Sequence, residues 1–182
     1  MKAMVLAAGQ GTRLRPLTDH TPKALIPVAG RPMIEYSLLL LRHYGIRDII
    51  INLHHLGDQI ESYLGTGKQW GLEITYSKEL ELLDTGGGLL KAKPFLQEGT
   101  FIVINTDVLI DLSLSDLLAF HEKNRAVATL VLRPDPLADQ YGSMYFSRHR
   151  ARLPLSSCLS RRSLRAMLKL WNERLRNIST PY

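Results

Sequence analysis

The apolar positions change their period repeatedly along the first 132 residues, and each change marks an element. Met4 to Ala7 is a short unbroken apolar run and predicts a buried first strand. Ile34 to Tyr44 has helical spacing, with Gly45 placed to cap its C-terminus. Asp48 to Leu53 (DIIINL) is β-branched and continuous, which suits a parallel strand covered on both faces. Asp58 to Leu64, with Ile60 and Leu64 one turn apart, predicts a helix, and Leu72 to Tyr76 a third strand. Gly88 to Lys93 reads as a short helix closed by Pro94, ahead of a fourth strand at Phe101 to Ile104. Ser113 to Lys123 is a helix opened by a capping-box pair, Ser113 and Asp116, and Ala128 to Leu132 a fifth strand. Strict alternation of strand and helix predicts an α/β fold: an open, mostly parallel sheet with helices on both faces. Ligands of such sheets bind beyond the carboxyl ends of the strands.

The alternation stops near residue 147. Residues 147–182 contain no Gly and no Asp, and Leu164, Met167, Leu168, Trp171, Leu175 and Ile178 recur at helical spacing. The expected organisation is therefore a domain at 1–146 and a basic, partly helical tail at 147–182. Charge supports that division. The net charge of +6 is the sum of +8 in residues 147–182 and −2 in the rest. A slightly acidic body does not read as a nucleic-acid-binding surface. A basic amphipathic helix there would suit a membrane surface, a protein partner or self-association, with membrane contact not the favoured expectation. Cys158 is the only cysteine, which excludes an intramolecular disulfide and a cysteine zinc cluster. The opening residues read as a first strand and not as an export signal, so the cytoplasm is the expected compartment.

Candidate chemistry begins directly after the first strand. Gly9-Gln10-Gly11-Thr12-Arg13-Leu14-Arg15-Pro16 combines glycines, which let backbone N–H groups approach an anion, with two guanidinium groups that can grip phosphate oxygens. The spacing is neither a Walker loop nor a GxGxxG fingerprint, and taken alone it suits a structural turn as well as a phosphate cradle. Lys23 follows between Pro22 and Pro27, which stiffen its backbone and add a third cation near the loop. Asp107, just beyond the fourth strand, stands where an α/β sheet places its ligand, and a magnesium ion favours one or two carboxylates plus substrate oxygens. Capping a turn is the plainer role for Asp107 or Asp111. His54 and His55 point to opposite faces of a strand end and are not expected to share a metal. Glu35 reads as a solvated helix position, and Tyr63 and Trp70 as packing residues.

LAAGQGTRLRPLT followed by PKALIPVAGRPMIEY resembles the signature of the sugar-1-phosphate nucleotidyltransferases, the NDP-sugar pyrophosphorylases. It is most similar to members acting on mannose 1-phosphate with GTP or on N-acetylmuramate 1-phosphate with UTP. The resemblance runs to about Tyr145. It implies a Rossmann-like sheet of the nucleotide-diphospho-sugar transferase type, and transfer of a nucleotidyl group to a sugar 1-phosphate with release of pyrophosphate. By the same resemblance Ala7, Ala8 and Gly9 would lie against the nucleoside, and Gly11, Thr12 and Arg13 would hold phosphates. Lys23 would neutralise the α-phosphate, and Glu79, Gly86 and Gly87 would lie nearest the base. Asn105 and Gly142 would contact the sugar, and Asp107 would ligate Mg2+. The expected partners are thus a nucleoside triphosphate, GTP or UTP, and a sugar 1-phosphate, with Arg13, Lys23 and Asp107 as the catalytic set.

The chain departs from the family pattern in two places. Thr106 replaces a glycine before the metal aspartate and is expected to crowd the sugar phosphate. Beyond Tyr145 the family's sugar-contacting Glu-Lys pair and second metal aspartate have no counterpart, as though the C-terminal part were truncated or shifted in frame. That loss admits a second reading, a catalytically impaired module that binds nucleotide or sugar phosphate.

Overall fold

A computed structural model describes residues 1–132 and the backbone of two short strands, Tyr145–Ser147 and Arg150–Arg152. The elements are β1 (Lys2–Leu6), β2 (Pro27–Val28), β3 (Arg31–Pro32), α1 (Met33–His43), β4 (Asp48–Leu53) and α2 (Gly57–Leu64), then β5 (Glu73–Lys78), α3 (Asp84–Lys91), α4 (Lys93–Leu96), β6 (Phe101–Asn105) and α5 (Leu114–Lys123), with β7 and β8 the two outlying strands. The chain forms two compact units, one of residues 1–83 and 91–114, the other of residues 84–90 and 115–182.

The first unit holds a four-stranded sheet in the order β5-β4-β1-β6, with every neighbouring pair parallel. Its centre is apolar on both faces. Ala3, Met4 and Val5 of β1 have no exposed surface, and successive side chains of a strand point to opposite sides, so both sides are covered. The DIIINL run of β4 behaves alike: Ile49 and Ile51 are fully buried and Ile50 nearly so. Burying each isoleucine favours folding by about 1.5–3 kcal/mol. Helix α1 contributes Ile34, Leu38 and Leu41, one stripe of a 3.6-residue repeat, and α2 contributes Ile60 and Leu64. Gly45 ends α1 as its sequence position suggests. Its φ is 73°, its N–H donates to Arg42 O at 2.9 Å, and Ile46 N–H reaches back to Leu41 O at 2.9 Å. That is a Schellman closure, and it needs a left-handed residue at this point.

Several expectations are corrected. Ala128 to Leu132 forms no strand; Leu130, Val131 and Leu132 are exposed, and among the described residues no strand offers this run a backbone ladder to join. Helix α3 starts at Asp84 instead of Gly88, and Pro94 lies in the first turn of α4 instead of closing a helix, a position that needs no N–H. The two-residue strands β2 and β3 form an antiparallel hairpin that the apolar pattern does not reveal. Glu35 is not solvated. It is 5% exposed, Arg31 Nη1 donates to its Oε2 at 2.9 Å, and the Tyr63 hydroxyl donates to its Oε1. The hydrogen bond to Glu35, with burial next, raises the Tyr63 phenol above its ordinary pKa. The tail 153–182, with its expected amphipathic helix, lies outside the described residues.

In the second unit, α5 is followed by a turn in which Ala126 N–H donates to His121 O at 3.0 Å and the His121 ring meets Thr129 Oγ1 at 3.0 Å. Strands β7 and β8 pair antiparallel.

Candidate active site

The carboxyl ends of β1, β4 and β6 gather most of the expected residues within the first unit. The chain leaves β1 through Ala7 and Ala8, both buried, and enters the glycine segment. Gly11 adopts φ 64°, and a Cβ there would lie 2.7 Å from Thr18 Cγ2 and 3.2 Å from Lys23 Cβ. Only glycine fits, for reasons of both backbone and space. Thr12 to Leu14 then form a 3-10 turn, which leaves Thr12 and Arg13 exposed. The next peptide, Arg15–Pro16, is cis.

The loop is held from behind. Thr18 is 1% exposed and its hydroxyl donates to Gly11 O at 2.9 Å. The His55 ring Nε2 lies 2.9 Å from Thr18 O, and Gln59 Nε2 donates to His20 O at 3.0 Å. His54 turns elsewhere, its Nδ1 meeting Glu79 O at 3.0 Å. The two histidines thus support two different walls, in keeping with their opposite orientations.

Lys23 follows Pro22 in a short 3-10 turn whose end is fixed by Ile26 N–H donating to Lys23 O. Its ammonium meets the Asp107 carboxylate at 2.6 Å. Asp107 comes from the other flank of β1: β6 pairs with β1 so that Asn105 lies opposite Leu6. Thr106 then turns back onto β1, its N–H and hydroxyl both donating to Leu6 O, at 3.3 and 3.0 Å. The threonine is 6% exposed, and its side chain ties β6 to β1. Asn105 is exposed at the strand end. Among the described residues no cluster of three or more His, Cys, Asp or Glu gathers as a metal cage. A magnesium ion at Asp107 would take its remaining ligands from phosphate oxygens and water, which suits that ion.

Glu79 is placed differently from a freely presented base-reading carboxylate. It is 5% exposed; Asn52 Nδ2 donates to its Oε1 at 2.9 Å and Leu83 N–H to its Oε2 at 3.1 Å. Gly86 and Gly87 lie in α3, within the second unit. Gly142 lies outside the described residues. Asn52 and Thr18 are the residues that sequence reasoning missed, while His55 stands at the loop where its strand-end position allowed a supporting role. Asn52 carried a signal, being the one uncharged polar residue in a strand otherwise buried through apolar contacts.

The nucleotidyl transferase family profile matches residues 2–153. The chain belongs to that family. A UTP–glucose-1-phosphate uridylyltransferase of Synechocystis is 40% identical over 155 residues, covering 78% of this chain and 40% of its own length. An N-acetylmuramate α-1-phosphate uridylyltransferase of Neisseria meningitidis is 50% identical over 113 residues, covering 62% of this chain and 49% of its own. Among solved structures, a glucose-1-phosphate thymidylyltransferase-like protein of Bacillus anthracis, crystallised with sucrose, superposes with a TM-score of 0.74 at 27% identity. That match covers 82% of this chain and 61% of the other. The nucleotidyl transferase chain thus spans less than half the length of these two curated relatives.

Proposed function

We propose that this chain transfers a nucleotidyl group from a nucleoside triphosphate to a sugar 1-phosphate, giving an NDP-sugar and pyrophosphate. The observation that carries the reading is the Lys23–Asp107 pair beside the left-handed Gly11, at the carboxyl ends of adjoining parallel strands. A phosphate oxygen of the sugar phosphate attacks the α-phosphorus. The bond from that phosphorus to the oxygen bridging the β-phosphate breaks, and pyrophosphate leaves with the electron pair. The attacking oxygen is already anionic, so no general base is needed. Catalysis rests on positioning and on neutralising charge.

In this reading Ala7, Ala8 and Gly9 flank the nucleoside, and Gly11, Thr12 and Arg13 bind the phosphates. Lys23 leaves Asp107 for the α-phosphate. By the family resemblance Asn105 and Gly142 would serve the sugar, and Glu79, Gly86 and Gly87 the base. Asp107 would hold Mg2+, which when bound would supply positive charge against the triphosphate. The relatives' named activities, on glucose 1-phosphate and N-acetylmuramate 1-phosphate with uridylyl transfer, support UTP as a substrate, with GTP the other candidate. A mannose-1-phosphate guanylyltransferase of Mycobacterium tuberculosis, 41% identical over 130 residues, supports GTP. The domain 1–146 would carry this chemistry, with no part in it for the tail 147–182. No described helix is long and apolar enough to cross a membrane. No observation favours the impaired-module reading over transfer.

The test incubates the full chain with Mg2+, a panel of sugar 1-phosphates and each of the four nucleoside triphosphates, and measures pyrophosphate. Release with UTP or GTP is expected. Triphosphate binding without release favours the binding module, and neither binding nor release overturns the proposal.

A further inference from the structure

Three adjacent strand ends are linked by one hydrogen-bond chain with a fixed direction. Ala7 N–H, at the end of β1, donates to Asn52 Oδ1 at 2.9 Å. Asn52, on β4, donates from Nδ2 to Glu79 Oε1 at 2.9 Å. Glu79, just past β5, receives Leu83 N–H on Oε2 at 3.1 Å. Asn52 is 3% exposed and Glu79 5%, so neither can exchange these bonds for water without opening the core.

The polarity leaves no freedom. A backbone N–H only donates, so Asn52 must offer its oxygen to Ala7 and its NH2 to Glu79. Leu83 also only donates. Glu79 therefore faces donors on both sides, and an ionised carboxylate, which only accepts, satisfies both. An amide in its place would set donor against donor at one end.

We infer that Asn52 and Glu79 are positioning residues for the nucleoside. They fix the Ala7 backbone and the 80–83 segment relative to each other, and base preference does not pass through direct contact with the Glu79 carboxylate. The inference rests on the nucleotide site proposed above and sharpens it. It assigns a role to Asn52 and makes the role of Glu79 indirect.

Reversing the polarity tests it. Glu79→Gln leaves a donor–donor clash, and Asn52→Asp sets two carboxylates against each other. In the double variant the new carboxylate at 52 accepts from Ala7 and from the new amide at 79, whose oxygen accepts from Leu83. Calorimetry then measures the affinity of the full chain for each of the four triphosphates, with urea midpoints alongside. Each single variant is expected to bind the preferred triphosphate about tenfold or more weakly, as loss of a hydrogen bond to a buried charge implies. All bases should weaken in parallel. The double variant is expected to recover most of that loss and keep the unaltered chain's order of base preference. If a single variant does not fold, recovery in the double still reports the link.

Any change in the order of base preference on Glu79→Gln or in the double variant overturns the inference, because it places the carboxylate on the base. A double variant no better than the worse single also overturns it. So does unchanged affinity in both singles with lowered urea midpoints, which makes the chain purely structural. Failure of the underlying reading is seen separately, as absence of triphosphate binding by the unaltered chain.

Discussion

Lys23 and Asp107 meet at 2.6 Å across 84 residues of sequence, with side chains 30% and 39% exposed. A pair so exposed contributes only about 0–1 kcal/mol to stability. Lys23→Ala and Asp107→Asn should therefore leave the urea unfolding free energy nearly unchanged. Each should lower the rate of pyrophosphate release about 10²- to 10³-fold, the range for losing one preorganised charge contact. A large stability loss without a rate loss would mark the pair as a brace for the fold instead.

Gly11→Ala should weaken both the fold and triphosphate binding. Holding a non-glycine residue at a left-handed φ costs about 1–2 kcal/mol. The added Cβ also meets Thr18 Cγ2 at 2.7 Å. Thr18→Ser removes that methyl, so Gly11→Ala should be less damaging in the Thr18→Ser background. Equal damage in both backgrounds, by chemical denaturation, would assign the whole effect to the backbone.

The buried Glu35 anchors the hairpin to two helices, since Arg31 lies on β3, Glu35 on α1 and Tyr63 on α2. Glu35→Ala should lower stability by about 1–3 kcal/mol and Tyr63→Phe by about 1 kcal/mol. Because Tyr63 acts through Glu35, the double variant should cost less than the sum of the two. Additive losses would show that Tyr63 is held mainly by its ring contact with Trp70.

Alkaline pH should unfold the chain earlier than ordinary tyrosines would suggest. Burial, with the Glu61 charge next, pushes the Tyr76 phenol up from 10.0 to about 12. The fold thus favours the neutral phenol. Its contribution is complete below pH 10.0 and is lost as pH rises through about 12. Stability measured between those limits should fall more steeply in the unaltered chain than in Tyr76→Phe. Parallel curves would show that Tyr76 does not carry the effect.

The sheet was legible because its signal is local. DIIINL is unbroken because β4 is covered on both faces, and burial of Ile49 to Ile51 bears this out. What failed to show lies where local pattern and tertiary context disagree. Three glycines at 86–88 hide the first turns of α3, since glycine has poor helix propensity. Hairpin β2–β3 has two residues in each strand, too few for any period. Ala128 to Leu132 is strand-like in composition, but a strand requires a partner that no composition supplies. Glu35 has the spacing of a surface position and the environment of a buried one, because Arg31 and Tyr63 close over it. The glycine loop, Lys23 and Asp107 could each be picked out from the sequence. The family resemblance gathered them in one site, but not the direct ion pair of Lys23 with Asp107 or the engagement of Glu79 by Asn52 and Leu83.

The placement of β1 between β4 and β6 also sets the order in which the chain can acquire its chemistry. The glycine loop and Lys23 are made early in synthesis, but the carboxylate that Lys23 meets follows β6, the last strand of the parallel sheet among the described residues. Closing so long a loop is slow compared with forming local turns and helices. A nascent chain emerging as far as α4 would carry the cations with nothing opposite them. The proposed reacting centre would come into being only as β6 docks, so pairing β6 with β1 and bringing Asp107 to Lys23 are one event.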